Sequence, residues 1–229
     1  MITVPPVLAT IPSCVLYIRP FGAVGGSTLR DQSPLKTTIT LGAGTVTNSN
    51  TYSKFPPASL YFSAAYFTEP NNIHYCTFTG DFAFSWWEYL TSAKTAGSSV
   101  FTNVPSTTLG FNIGYSDGTN NMVFLSSNGS TWNLKSAWSM GAQVGDAWTH
   151  WGLTRISGVL TAYKNGVQSA QASGVTGTVY NSGTNLYVGS YPDYPVTAYY
   201  DEICIFNGSY GPVPTGAMLY NLAQRRMIA

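Results

Sequence analysis

The carboxylates of this chain of 229 residues are Asp31, Glu69, Asp81, Glu88, Asp117, Asp146, Asp193, Asp201 and Glu202, and with two histidines they are its ordinary acid and base chemistry. Retaining glycoside hydrolysis needs an acid and a nucleophile about 5 Å apart on one surface. Only Asp201 and Glu202 are adjacent, and successive side chains of a regular strand point to opposite faces, so the pair does not read as catalytic and Asp201 reads as a turn or hydrogen-bonding residue. His74 follows the polar Asn71-Asn72 turn and His150 lies in the run Trp148-Thr149-His150; both read as structural groups, not as bases. No serine nucleophile elbow, zinc-binding histidine pair or phosphate-binding glycine loop is present. The expectation is a chain without catalytic residues.

Binding chemistry is better represented. Cys14, Cys76 and Cys204 lack the close spacing of metal sites and, being odd in number, cannot all pair; they are expected as buried thiols. Asp117, Asn120 and Asn121 offer the oxygen ligands that calcium takes, but turn chemistry explains the same residues, so calcium is a weak candidate and no cofactor is required. Trp132, Trp138, Tyr191 and Tyr194 fall in expected loops, where rings can stack on sugars while nearby Asn and Asp bind hydroxyls. The alternative is that these rings cover the ends of the fold or fill a protein interface.

The elements that must carry these residues are strands. Charged residues are 8 % of the chain, too few for amphipathic helices with charged faces, while Gly, Ser, Thr, Asn and Tyr are abundant. Apolar and β-branched runs predict strands at Val15 to Ile18, Thr37 to Leu41, Ser59 to Phe62, Phe82 to Tyr89, Leu109 to Tyr115, Met122 to Ser126, Trp148 to Arg155, Val159 to Lys164, Leu186 to Gly189 and Tyr199 to Phe206. Asn165-Gly166, within the run Val159 to Val167, predicts a tight type I′ hairpin between alternating strands, and Asp117-Gly118 a hairpin with a longer loop. Only the C-terminal end reads as helix, opened at Pro214-Thr215, with Met218, Leu219, Leu222 and Ala223 on one face and Arg225-Arg226 at its negative end. Residues 1–12 form an apolar, proline-interrupted arm before a single domain over residues 13–229. The arm has no basic residue and does not read as a secretory signal, and Pro12 and Arg19 interrupt the most hydrophobic stretch. A formal charge of +1, with only Arg225-Arg226 adjacent, leaves no footprint for nucleic acid or an anionic membrane.

Four segments, in order, carry a resemblance. They are Tyr52 to Phe62, ending Ala-Ser-Leu-Tyr-Phe; Gly80 to Ser92, containing Asp81-Phe82 and an alternating strand that reaches Trp86-Trp87; Trp148 to Arg155 with the Asn165-Gly166 hairpin; and Leu186 to Gly189 followed by Tyr200-Asp-Glu-Ile203. Together they resemble the laminin-G-like jelly-roll domains of the concanavalin A-like lectin/glucanase superfamily. The resemblance implies an antiparallel jelly-roll β-sandwich with a short C-terminal helix, in which Trp87 and Trp148 help build the core and Asp201 begins a strand. Glu88 and Cys204 depart from the family's usual apolar and basic residues, and Thr91 to Thr108 does not align. The family includes lectins, adhesins, accessory modules and virion proteins, so membership does not choose a ligand. Within it the chain is similar to bacteriophage virion members. That implies a non-enzymatic structural protein on the virion surface, made in the host cytoplasm, decorating a capsid, tail or fibre. Its expected partners are other virion proteins, further copies of itself, attached through the N-terminal arm, and a cell-surface glycan. A cellular carbohydrate-binding lectin is the alternative, and a glycoside hydrolase a distant one.

Overall fold

The computed structural model describes residues 11–104, 108–189, 194 and 196–224. Its strands are β1 (Cys14–Ile18), β2 (Thr40–Leu41), β3 (Thr45–Ser49), β4 (Ser59–Ala65), β5 (Phe67–Glu69), β6 (Phe82–Tyr89), β7 (Phe101–Thr102), β8 (Phe111–Ser116), β9 (Asn120–Leu125), β10 (Lys135–Ala142), β11 (Trp148–Ile156), β12 (Val159–Lys164), β13 (Val167–Ala172), β14 (Leu186–Val188) and β15 (Val196–Asn207). Helix α1 (Ile73–Cys76) is one turn capped by Asn72, and helix α2 (Gly216–Gln224) follows the last strand. Two antiparallel sheets result. The first runs β13-β12-β11-β6-β15-β4-β3, with β1 also on β15; the second runs β10-β9-β8-β7-β14-β5-β2. The expected sandwich is what the chain forms. The expected arm falls almost wholly in residues 1–10, outside the described residues.

Period-two alternation decides what each strand buries. Phe84 and Trp86 point into the core with Leu153 and Trp151, and Trp86 lies directly across from Trp151. Trp87, one residue on, therefore points the other way. It is buried among Phe55, Ala223 and Tyr220 on the outside of the first sheet, and Trp148 is half-buried in the same cluster. The tryptophans between the sheets are thus Trp86 and Trp151; Trp87 is buried as expected, but in a smaller cluster on the outer face, where Trp148 is only half-buried. Helix α2 covers this outer face through Leu219 and Ala223, with Gly216 pressed against the Tyr163 ring so closely that a Cβ has no room there. Met218, expected on the packed face, is 53 % exposed, and Arg225 and Arg226 lie outside the described residues.

Glu88 continues the inward side of β6, where an apolar residue would be usual. Its Oε1 receives the Lys94 Nζ at 2.9 Å, and Lys94 also donates to Asn121 Oδ1 at 2.7 Å and Gly114 O at 3.1 Å. The unaligned segment after β6 thus supplies the counter-charge that lets a carboxylate sit between the sheets. Both hairpins form as expected, Asn165 and Gly166 adopting φ of 51° and 80°. Short strands β3, β5 and β7, and β10, escaped the sequence reading, while β13 is the second arm of the expected Asn165-Gly166 hairpin; β10 removes Trp138 from its expected loop. Cys14, Cys76 and Cys204 are free and buried. Among the described residues no helix is long and apolar enough to cross a membrane.

Candidate functional site

One row of aromatic residues crosses four adjacent strands on the outer face of the first sheet. Tyr61 of β4 pairs with Tyr199 of β15, Tyr199 with Tyr89 of β6, and Tyr89 with Trp148 of β11, each directly opposite the next. Their inward neighbours Phe62, Tyr200 and Leu90 are buried, which holds the row at the surface. Tyr61 and Tyr199 stack at 4.5 Å between centroids, and Tyr89 lies 5.7 Å from Trp148. From the β3–β4 connection Tyr52 stacks on Tyr89 at 4.2 Å and meets Tyr199 edge-on at 5.0 Å. Tyr52, Tyr61, Tyr89 and Trp148 are half-exposed.

The rings of the site are neutral. Burial raises the phenol of Tyr89, with Tyr52 and Asp146 adding to the rise, and burial likewise raises Tyr199, so both remain neutral donors. Ser49 and Thr51 border Tyr199, Asp146 faces Tyr89, and Lys54 is drawn aside over the Trp87 ring, its Nζ 3.8 Å from the centroid. Rings fringed with hydroxyls can bind a ligand that has apolar faces and many hydroxyl groups.

The acidic pair lies elsewhere and in another setting than expected. Asp201 and Glu202 are in the middle of β15, not at its start, where the register with β6 shifts and Glu202 takes φ of 50°. Tyr200 and Ile203 point into the core on either side, so the bulge turns both carboxylates to the outer face instead of to opposite faces. Both are buried: Glu202 accepts from the Tyr17 hydroxyl at 2.5 Å, and Asp201 Oδ1 accepts the Glu202 N–H at 3.0 Å. They are sealed from any substrate in this state. His150 is buried as well, its Nε2 2.9 Å from Ser85 Oγ; burial, aided by Lys54, lowers its pKa to about 3. His74 is in α1, its carbonyl held by the Asn207 amide.

Of the four aromatic residues singled out in the sequence, the three that are described are not gathered together. Trp132, in the β9–β10 connection as expected, lies 5.4 Å from Phe124, which meets Tyr115 at 5.1 Å on the second sheet. Trp138 is in β10 and packs in part on the core, Tyr194 is exposed beside Gly97, and Tyr191 lies outside the described residues. The calcium candidates also separate. Asp117 accepts from the backbone and side chains of Thr119 and Asn120, which holds its carboxyl well below the usual range, whereas Asn121 is buried on Lys94. Among the described residues no group of three His, Cys, Asp or Glu side chains is placed to hold a metal.

The superfamily's sequence pattern, described as concanavalin A-like lectin/glucanases, matches residues 62–212. The chain belongs to that superfamily. No curated protein matches it in sequence. Solved structures of superfamily shape include the binding domain of Paraclostridial Mosquitocidal Protein 1, with 12 % identity, a TM-score of 0.65, and 95 % of this chain and 53 % of that one covered. The botulinum neurotoxin serotype G binding domain gives 13 % identity, a TM-score of 0.64, and coverage of 94 % and 51 %. Domain 4 of AbnA, a GH43 extracellular arabinanase from Geobacillus stearothermophilus in complex with arabinotriose, gives 16 % identity, a TM-score of 0.58, and coverage of 82 % and 88 %. The chain spans about half the length of the toxin binding domains it matches. At these identities the likeness is one of fold.

Proposed function

We propose that this superfamily member is a non-catalytic glycan-binding module whose site is the row Tyr61, Tyr199, Tyr89 and Trp148 with Tyr52 against it. The register-aligned row carries the reading, because it is uncharged, partly exposed, and bordered by hydroxyls. The binding domains and the arabinotriose complex among its structural neighbours support it, and the burial of Asp201 and Glu202 supports a role without hydrolysis. Glycan-array screening followed by calorimetry tests it. Alanine at Tyr52 or Trp148 is expected to weaken binding by about 1–3 kcal/mol, by analogy with base stacking on aromatic side chains. A folded wild-type chain that binds no glycan ends this reading.

As to setting, the proposal is a virion surface, where the module acts as an adhesion or decoration component beside other virion proteins. Its support is the charge-poor composition and the resemblance of the motifs to virion members; a cellular lectin is the rival. Mass spectrometry of purified particles separates the two.

A further inference from the structure

Glu88 and Lys94 do not stand alone between the sheets. Glu88 is on the inward side of β6, Asn121 is on the inward side of β9 with Val123 and Leu125, and Lys94 reaches between them from the segment after β6. Lys94 Nζ lies 2.9 Å from Glu88 Oε1 and donates to Asn121 Oδ1 at 2.7 Å, and Asn121 Nδ2 donates to Glu88 Oε2 at 3.4 Å. Amine, amide and carboxylate close a triangle in which each touches the other two. All three residues are buried.

The surroundings fix this triangle. Lys94 N–H donates to Gln143 Oε1 at 3.0 Å, its carbonyl accepts from Ser116 Oγ at 3.0 Å, and its Nζ also donates to Gly114 O at 3.1 Å. Tyr200 stands opposite Glu88 on the neighbouring strand, and Gly114 is packed tightly against Val100 and Trp86. Since Oδ1 is one C=O bond, about 1.23 Å, from Cγ, the amine stands within roughly 3–4 Å of the amide carbon, close to the separation of a near-attack arrangement. An ion pair needs only amine and carboxylate. The amide, with its oxygen on the amine and its nitrogen on the carboxylate, adds an electrophile and a leaving group.

We propose that the side chains of Lys94 and Asn121 join in an amide bond, with Glu88 carrying the protons. The Lys94 ammonium passes one proton to Glu88 along the 2.9 Å contact, leaving a neutral amine and a neutral acid in the buried site. Rotation about the Cε–Nζ bond turns the freed lone pair toward Asn121 without moving a heavy atom. The amine attacks Asn121 Cγ and forms the new C–N bond. Glu88 gives its proton to Nδ2 and takes one from Nζ, the Cγ–Nδ2 bond breaks, and ammonia leaves, carrying off the proton left on Glu88 as ammonium. One amide replaces another, so no oxidant or further reactant enters. The bond closes the chain from residue 94 to residue 121 and ties the segment after β6 to β9 of the second sheet. Cys14, Cys76 and Cys204 are free, so no disulfide among them does this work.

Mass spectrometry of the purified full chain tests this. The expected result is a mass lower by one ammonia than the sequence requires, with Lys94 and Asn121 recovered in one branched peptide after proteolysis. Lys94→Arg and Asn121→Ala are expected to keep the full mass, the second with its ion pair intact. Chains altered at Lys94 lack the bond whatever stands at position 88, so differences among them report charge and packing alone. Glu88→Gln is expected to slow the joining by about a hundredfold or more, followed as ammonia loss with time after refolding. The wild-type mass decides even where a variant fails to fold. A folded wild-type chain of full mass overturns the proposal, as does ammonia lost from another asparagine without the Lys94–Asn121 branch; joining at an equal rate in Glu88→Gln overturns the role given to Glu88.

Discussion

Glu69 is the residue whose ionisation costs this fold most visibly. Fully buried at the end of β5, it faces Tyr75 and Cys76 of α1 and the carboxylate of Asp31, which itself accepts from Tyr17, Ser33 and Thr37. Burial, with Asp31 adding to it, pushes Glu69 up from 4.5 to about 7. Between those two pH values the folded chain keeps a proton that the unfolded chain has lost, so this contribution to stability is greatest at low pH and declines as pH rises to about 7. Glu69→Gln is expected to abolish that decline and, at pH 8, to stabilise the protein by on the order of 1–3 kcal/mol, measured by urea unfolding at pH 5 and pH 8. His150 has the opposite sign. Lowered to about 3, it leaves the unfolded state holding the extra proton below 6.5, so stability drains away as pH falls from 6.5 toward 3. His150→Gln is expected to flatten the acid limb of a melting-temperature profile; an unaltered limb would assign acid unfolding to other groups.

At the scale of elements, the Glu88–Lys94 pair ties β6 of one sheet to β8 and β9 of the other through Gly114 and Asn121. Lys94→Met leaves a buried carboxylate without its counter-charge and is expected to cost about 3–5 kcal/mol, whereas Lys94→Met combined with Glu88→Leu recovers most of that loss. Denaturant titration of the single and double variants checks this, and equal loss in both would show that packing, not charge, holds the tie. Sequence patterns reached most of the long strands because alternation over six to nine residues is a strong signal: β12 agrees at both ends and β6 does so too, whereas β10, eight residues long, was missed because two register shifts break its alternation. They missed β5 and β7, of three and two residues, because so short a run carries no period. The bulge at Glu202 was likewise invisible, and with it the shared face of the two carboxylates, since regular alternation is the only rule a sequence offers.

For the molecule as a whole, the candidate site was illegible for a different reason. Tyr61, Tyr89, Trp148 and Tyr199 stand at surface positions of four predicted strands, but they become a row only through the order β4-β15-β6-β11, which no local pattern encodes. That order has a consequence for how the chain is made. β15 pairs with β6 along one side and with β4 and then β1 along the other, so the middle of the first sheet is filled by its last strand. Until residue 207 has left the ribosome, β6 and β4 have no neighbour between them. Non-local closure of this kind is slow and exposes the nascent chain to aggregation. Chains halted before Val196 are expected to remain protease-sensitive and bound to holdase chaperones, and release of a full-length chain to convert them in one step, as pulse proteolysis of stalled translation products would record.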